Sequence, residues 1–434
     1  MRWLSLTSEY AHQEVGGTQI YVHRLNLALR RRNIEAIGAY FTKRSGPASY
    51  EGIPLIALPV PPRPETRLAS WECPPHGTDD FERLLDEVRP DVVHFNSTLN
   101  LHPPEFFEIA RRSGARTLWT YHAPGQTCLQ TALLREGRVP CDGRIEPGRC
   151  ARCGLVWSGL PSPVATLFGS IDLSALAPLM PRSLTHPFER RHGLSRFLAR
   201  LERACASLDH WVTHARWTRE LLQLNNLGGL PPLELPLPAP GVGRYTPDAS
   251  PWEGLDDKLR LLYAGRFLDI KGPDLLLRTL SEKLRGEEAS LALMGPLHGI
   301  PFEAEVQNLV AREHRARLLP PRDTQGMLGA MAAADAVVVP SLWLETGPYT
   351  VLEAQWVGAP VIGANVGGIG ERLADWPASV LFQRGDPEDL ARAVRSLRGR
   401  REDENVRSER AEAFQSSYVE HFETALDRVL DAVR

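Results

Sequence analysis

Short apolar segments alternate with amphipathic ones through most of this chain; the alternation stops at residues 231–247 and starts afresh at residue 259. In the first half, residues 2–7, 34–40, 55–58, 92–95 and 117–121 read as strands, with helical patterns at 79–88 and 105–112. In the second half, strands are expected at 259–264, 290–294, 317–319, 336–339 and 380–382, separated by helices at 273–284, 302–313, 324–333 and 387–397. Alternation of this kind predicts a parallel sheet covered on both faces. The run PPLELPLPAPGVGRYTP between the halves is the strongest boundary in the chain. The fold class is therefore α/β, with two doubly wound, Rossmann-like domains facing across a cleft. Their expected bounds are 1–240 and 241–415, with a terminal helix at 416–434 crossing back to the first domain. Residues 123–160, rich in Gly, Arg, Pro and Cys, read as a flap without a core of its own.

A length of 434 residues suits two or three domains. The formal net charge of -3 gives no global attraction to nucleic acid, so none is expected as a partner. No apolar run reaches the length of a membrane span, and the start MRWLSLTSEYAHQE is too polar for a secretory signal. The reading is cytoplasmic. Residues 182–203 combine basic residues with Leu194, Phe197, Leu198 and Leu201. Such a helix packs on its own domain, or rests on an anionic membrane at the inner face.

The densest chemistry lies in residues 340–371. Glu345 and Glu353 flank Gly347-Pro348, which reads as a helix start; Gly358 and Pro360 end that helix, and a Gly367-Gly368 turn leads to Glu371. Carboxylates accept from hydroxyls, while a helix start and a glycine turn offer N–H groups to anions. Arg266 and Lys271 share the loop AGRFLDIKG after a strand, a suitable diphosphate site. Gly16 and Gly17 stand between the first strand and the first helix, another phosphate-cradling arrangement or a plain tight turn. His122, Asn96 and Ser97 sit at carboxyl ends of strands, where open sheets of this kind bind ligands.

AGRFLDIKG followed by PSLWLETGPYTVLEAQWVGAPVIGANVGGIGE resembles the donor half of the retaining glycosyltransferases of family 4, which have the GT-B fold. EVGGTQ, PDVVHF and His122 after TYH extend the resemblance over essentially the whole chain. It implies that Arg266 and Lys271 clamp the diphosphate of a UDP- or GDP-sugar donor, and that Glu353 accepts from the ribose. Glu345 would hold sugar hydroxyls beside backbone groups of Tyr349, Thr350 and Val351. Gly16 and Gly17 would close over the phosphates. His122 would touch a donor hydroxyl or support charge in the transition state. The departing phosphate would take the acceptor's proton, with no catalytic metal; the acceptor would be a saccharide, a lipid-linked sugar or a small molecule. Pro348 departs from the family pattern and removes one N–H, and Thr18 replaces a usual alanine. A sugar-nucleotide epimerase, a phosphorylase or a non-catalytic nucleotide-sugar binder on the same fold are the rival readings.

The flap carries Cys128, Cys141, Cys150 and Cys153. Four thiols in a polar segment suit a structural zinc, which supplies folding energy directly. Free thiols, disulfides and an iron–sulfur cluster are the alternatives, disulfides being disfavoured in a cytosolic chain. Similar cysteine-bearing flaps after this histidine occur in a branch of the family that the chain resembles.

Overall fold

The computed structural model describes residues 1–12, 16–43, 46–60, 77–137, 139–170, 182–241, 245–255, 259–397 and 402–434, with backbone alone at 170 and 182–192. Most of the proline-rich excursion near residues 59–75 and the Glu14-Val15 part of the first glycine loop lie outside the described residues. The chain divides into two compact units, Met1–Leu235 with Leu426–Arg434, and Pro236–Ala425.

The first unit is built on β1 (Arg2–Thr7), β2 (Glu35–Thr42), β3 (Ser49–Tyr50), β4 (Ile53–Pro59), β5 (Val92–Phe95) and β6 (Arg116–Thr120). A two-stranded hairpin follows, β7 (Leu134–Arg135) with β8 (Val139–Pro140), and then β9 (His210–Thr213) and β10 (Leu233–Glu234). The sheet order is β10-β9-β6-β5-β1-β2-β4-β3, parallel except for the edge pair β3–β4. Parallel strands are buried on both faces; β5 is buried at all four positions and β1 at five of six. From β1 the chain winds out through β2 to one edge, then returns to place β5 on β1's other side. That reversal puts the loops after β1 and β5 side by side.

The helix Gly17–Arg31 joins β1 to β2 and ends in Arg30 and Arg31, cations at the negative pole of the helix. Asn33, at φ 60°, makes the left-handed turn that lets the Ile34 N–H donate back to the Leu29 carbonyl at 3.1 Å.

The second unit repeats the plan with β11 (Leu259–Ala264), β12 (Ala289–Met294), β13 (Ala316–Leu319), β14 (Ala336–Val339), β15 (Val361–Ala364) and β16 (Ser379–Phe382). All neighbours in the order β13-β12-β11-β14-β15-β16 are parallel. In chain order this is 3-2-1-4-5-6, the doubly wound arrangement whose switch point lies between its first and fourth strands, here β11 and β14. The Arg266–Lys271 loop leaves β11, and the Glu345 loop leaves β14. Both loops therefore open from the carboxyl ends of the two strands at that reversal.

Two local expectations change. Gly367 and Gly368 do not form a free turn; they begin the helix Gly367–Leu373, which contains Glu371. The last helix begins at Glu404 and runs to Ala432, well before the expected 416. Its first turns look polar, but Arg407 is buried, with its guanidinium on the Ala332 and Ala334 carbonyls, and Arg410 donates to the Gly358 carbonyl at 2.6 Å. Guanidinium-to-carbonyl docking leaves no apolar stripe to read.

Candidate functional site

The β11 loop is shaped by two backbone constraints. The Tyr263 hydroxyl donates to the Arg266 carbonyl at 2.7 Å, which holds the loop while the Arg266 side chain stays exposed. Gly272 closes it at φ +68°, and a Cβ built there would lie 2.4 Å from the Pro340 carbonyl oxygen. The β14 loop is tied to it directly, since the Leu342 N–H donates to the Ile270 carbonyl at 2.8 Å. Replacing Gly272 by alanine combines left-handed strain with a backbone clash. The variant should lose about 1–3 kcal/mol or more of stability, read as a lower urea midpoint with an unchanged denaturant slope.

Across this joint the Lys271 Nζ lies 2.5 Å from Glu345 Oε1, and the Ser341 hydroxyl donates to the same oxygen at 2.8 Å. Glu345 is 6% exposed. Burial alone would push its carboxyl up; the Lys271 ammonium and the hydrogen bonds from Lys271 and Ser341 outweigh burial and hold it below the usual carboxylate range. The Lys271 ammonium also lies 5.3 Å from the centre of the Trp343 ring. Gly368 anchors the backbone behind Glu345, its N–H donating to the Glu345 carbonyl at 2.7 Å. Side chains at 367 or 368 would press on that same peptide, so both glycines serve close approach.

The helix Tyr349–Trp356 starts after Pro348. The Thr350 hydroxyl donates to the Ala264 carbonyl at 3.2 Å, pinning the helix start to the end of β11. The Val351 N–H donates to the Pro348 carbonyl at 3.1 Å and its side chain is fully buried, so Val351 has less to offer a ligand than the two residues before it. Glu353 is half-buried one turn into the helix.

In the first unit, Gly16 is extended and caps the helix Gly17–Arg31; the Ile20 N–H donates to its carbonyl at 3.0 Å. A side chain at Gly16 would meet the Gln19 amide oxygen. His122 follows β6. Its N–H and that of Ala123 both donate to Gln126 Oε1, at 2.6 and 3.2 Å, while the Gln126 amide donates to the Thr120 carbonyl at 2.8 Å. The His122 ring meets the edge of Tyr21, centroids 4.8 Å apart, and lies 5.4 Å from His214. Burial first, then the nearby His214 and His94, keep His122 neutral, well below the ordinary imidazole range.

Ser341, Gln126 and Asn96 are the functional neighbours that sequence reasoning left without a role. Ser341 and Gln126 each stand four positions from the residue they hold, Glu345 and His122, a spacing that offers a local signal.

Residues 258–399 match the family model of glycosyl transferases group 1, and residues 16–153 match that of a glycosyl transferase 4-like domain. Anabaena HepE, solved in complex with UDP and glucose, superposes with a TM-score of 0.65 at 14% identity, covering 100% of both chains. A sucrose-phosphate synthase of Thermosynechococcus elongatus gives 0.64 at 18% identity, again with 100% of each chain covered. The fold is GT-B. Among curated proteins, D-inositol 3-phosphate glycosyltransferases of Geodermatophilus obscurus and Rhodococcus opacus are 34% and 32% identical over 218 and 198 residues. Those alignments cover 46% and 42% of this chain and 48% and 44% of the relatives. The chain thus spans about half the length of the curated relatives that it matches.

The zinc site expected in the cysteine flap finds no support in this structure. Among the described residues, no three His, Cys, Asp or Glu side chains are placed to hold a metal ion. None of Cys128, Cys141, Cys150 and Cys153 is in a disulfide. Burial, with the neighbouring thiols adding to it, pushes Cys150 up to about 11 and raises Cys128 and Cys153 as well. The helix Pro147–Trp157 packs on the helices Ser162–Ser170 and Arg182–Ala206. Leu133, Leu134, Ala151 and Leu155 are buried, the last two one turn apart on the helix Pro147–Trp157. Ion pairs Arg149–Asp142 at 2.7 Å and Arg152–Glu136 at 2.5 Å brace its surface.

The helix Arg182–Ala206 directs Leu194, Phe197 and Leu201 into the core of its unit. Arg203 pairs with Glu105 and Glu108, and Arg200 donates to the Leu99 carbonyl at 2.5 Å. The apolar stripe of its described half is thus already covered by protein. Among the described residues, no helix is long and apolar enough to cross a membrane.

Proposed function

We propose that this chain is a retaining glycosyltransferase that moves a hexosyl group from a UDP- or GDP-sugar to an acceptor hydroxyl, in glycan, polysaccharide or glycoconjugate biosynthesis. The observation that carries this reading is the Lys271–Glu345 pair at the switch point of the second sheet, with Arg266 exposed in the same loop. A diphosphate entering beside Lys271 competes with Glu345 for the ammonium. Glu345, released in part from that cation, gains acceptor capacity for sugar hydroxyls. Arg266 adds a forked donor. Two cations on the leaving diphosphate stabilise the charge that develops as the glycosidic bond breaks. The retaining transfer proposed here has attack and departure on one face of the sugar, so the departing phosphate oxygen can take the acceptor's proton. Glu353 is assigned to the ribose and His122 to the donor sugar by the family resemblance. The helix start at Tyr349 and Thr350, and Gly16 with Gly17, supply N–H groups. We place the reaction in the cytoplasm.

The first test is thermal stabilisation by a panel of nucleotide sugars. A donor at one hundred times its Kd should add about 2.7 kcal/mol. The stabilising donor is then incubated with and without acceptors, starting with phosphorylated cyclitols because of the name that the curated relatives carry. Product formed only with acceptor, in the donor's anomeric configuration, supports the proposal. Sugar interconversion without acceptor marks an epimerase, and binding without turnover on any acceptor marks a non-catalytic binder.

A further inference from the structure

Asn96 stands at the end of β5, where its N–H donates to the Leu6 carbonyl at 2.9 Å as an extension of the ladder to β1. Its side chain is buried, at 1% exposure. The Asn96 Nδ2 donates to the His94 carbonyl at 2.9 Å, and Oδ1 lies 3.0 Å from His122 Nε2. A carbonyl oxygen only accepts, so the amide NH2 group must face His94, and Oδ1 must face His122. Turning the amide over would set two acceptors against each other at His94. An amide oxygen also only accepts, so the His122 nitrogen facing it carries a proton. The titratable groups that face this imidazole among the described residues are Tyr21 from the helix Gly17–Arg31, His94 from β5 and His214 after β9. None of them is an anion that would favour an imidazolium.

We infer that Asn96 is a positioning residue that holds His122 in the tautomer with its proton on Nε2, leaving Nδ1 as the ring's acceptor. The inference rests on the proposed assignment of His122 to the donor sugar and sharpens it. In this tautomer His122 accepts a hydrogen bond from a sugar hydroxyl through Nδ1. It does not donate from Nδ1 to a phosphate or an oxyanion.

The test uses the full chain labelled with 15N histidine, with His122→Gln identifying the ring signals. In the wild type, the His122 Nε2 should show the protonated pattern and Nδ1 the unprotonated one from pH 6 to 8, without titration. Asn96→Leu should mix the tautomers, and Asn96→Asp should bring the ring's titration into that range by offering it an anion. With UDP-glucose as the probe donor, Asn96→Leu should lower kcat roughly tenfold, the scale of one hydrogen bond, and Asn96→Asp should add an acid limb to the pH profile that the wild type lacks. A wild-type ring protonated on Nδ1, or an Asn96→Leu spectrum unchanged from wild type, overturns the tautomer assignment. The wild-type spectrum alone decides it if the variants fail to fold. Altered tautomers with unaltered transfer overturn the placing of His122 at the sugar while leaving the Asn96 geometry intact.

Discussion

Replacing Lys271 by alanine is expected to cost the second unit more stability than replacing Glu345, although the two form one ion pair. Glu345 is almost fully buried, whereas the Lys271 side chain keeps 22% of its surface exposed. Removing the lysine leaves a carboxylate in the interior with the Ser341 hydroxyl but without its cation. Breaking a buried pair in that sense costs about 3–5 kcal/mol, and water at the mouth of the loop should bring the loss toward the lower figure. Removing the glutamate instead leaves an ammonium on a flexible stem that can swing into solvent, so about 1 kcal/mol is expected. Urea denaturation of both single variants and of the double variant measures the difference. Equal losses for the two singles would show that Glu345 does not depend on the lysine for its charge.

The same variant has a defined dependence on pH. In the wild type the Glu345 carboxyl is held below its ordinary value, so it contributes stability above the unfolded value that is lost as pH falls through the folded one. Without Lys271, burial is the dominant influence and the carboxyl rises above its unfolded value. That variant then gains relative stability as pH falls and the group binds a proton. The gap between wild type and Lys271→Ala should narrow from pH 7 toward pH 4.5, and a constant gap would count against the argument. On the functional side, Lys271→Ala should weaken affinity for the nucleoside diphosphate itself. Glu345→Ala should reduce turnover more than it reduces nucleotide binding. The two readouts separate phosphate holding from sugar holding.

Why the halves of this pair were legible separately and not together follows from distance along the chain. Each residue sits just past an apolar strand, and a strand followed by a glycine-bearing loop is a local pattern. Their contact joins positions 74 apart, through two strands that become neighbours only when the chain reverses. The alternation that announced two parallel sheets was readable because parallel strands are buried on both faces, so β5, β12 and β14 are apolar almost throughout. The packing of the flap was not legible, for the converse reason. Leu133 and Leu134 are buried there, and the helix Pro147–Trp157 buries only Ala151, Gly154 and Leu155, too few positions for a periodicity to emerge among arginines and glycines. Asn96 was seen at its strand end, but its role depends on a donor and an acceptor supplied by two different segments, the His94 carbonyl and the His122 ring.

The second large effect is acid lability of the first unit, and it comes mainly from two buried histidines, His94 and His102. His94 and His102 are both fully buried, and burial depresses each of them to about 3, with His214 adding to the effect on His94. Below the ordinary value of 6.5 the unfolded chain binds a proton at each position and the folded chain does not. Stability is therefore complete above that value and declines as pH falls toward the folded values. The limiting slope is about 1.4 kcal/mol per pH unit for each group, which amounts to about 2.4 kcal/mol for the pair between pH 6 and 5, before most carboxylates titrate. His122 is depressed in the same direction and adds to the decline. The two groups differ in what holds them. His94 Nε2 lies 2.6 Å from the Thr120 hydroxyl, whereas neither ring nitrogen of His102 has a hydrogen-bond partner among the described residues. Its nearest rings are Phe95 and Phe41, with centroids 5.4 and 6.1 Å away. His102→Leu removes a buried polar group with nothing to satisfy it, so it should raise stability at pH 7 by about 1–3 kcal/mol and remove one histidine's share of the acid slope. Denaturation midpoints of wild type and variant at pH 7, 6 and 5 test both statements. A variant that is less stable at pH 7, or that declines as steeply as wild type, would mean that His102 is charged or bonded in the folded chain.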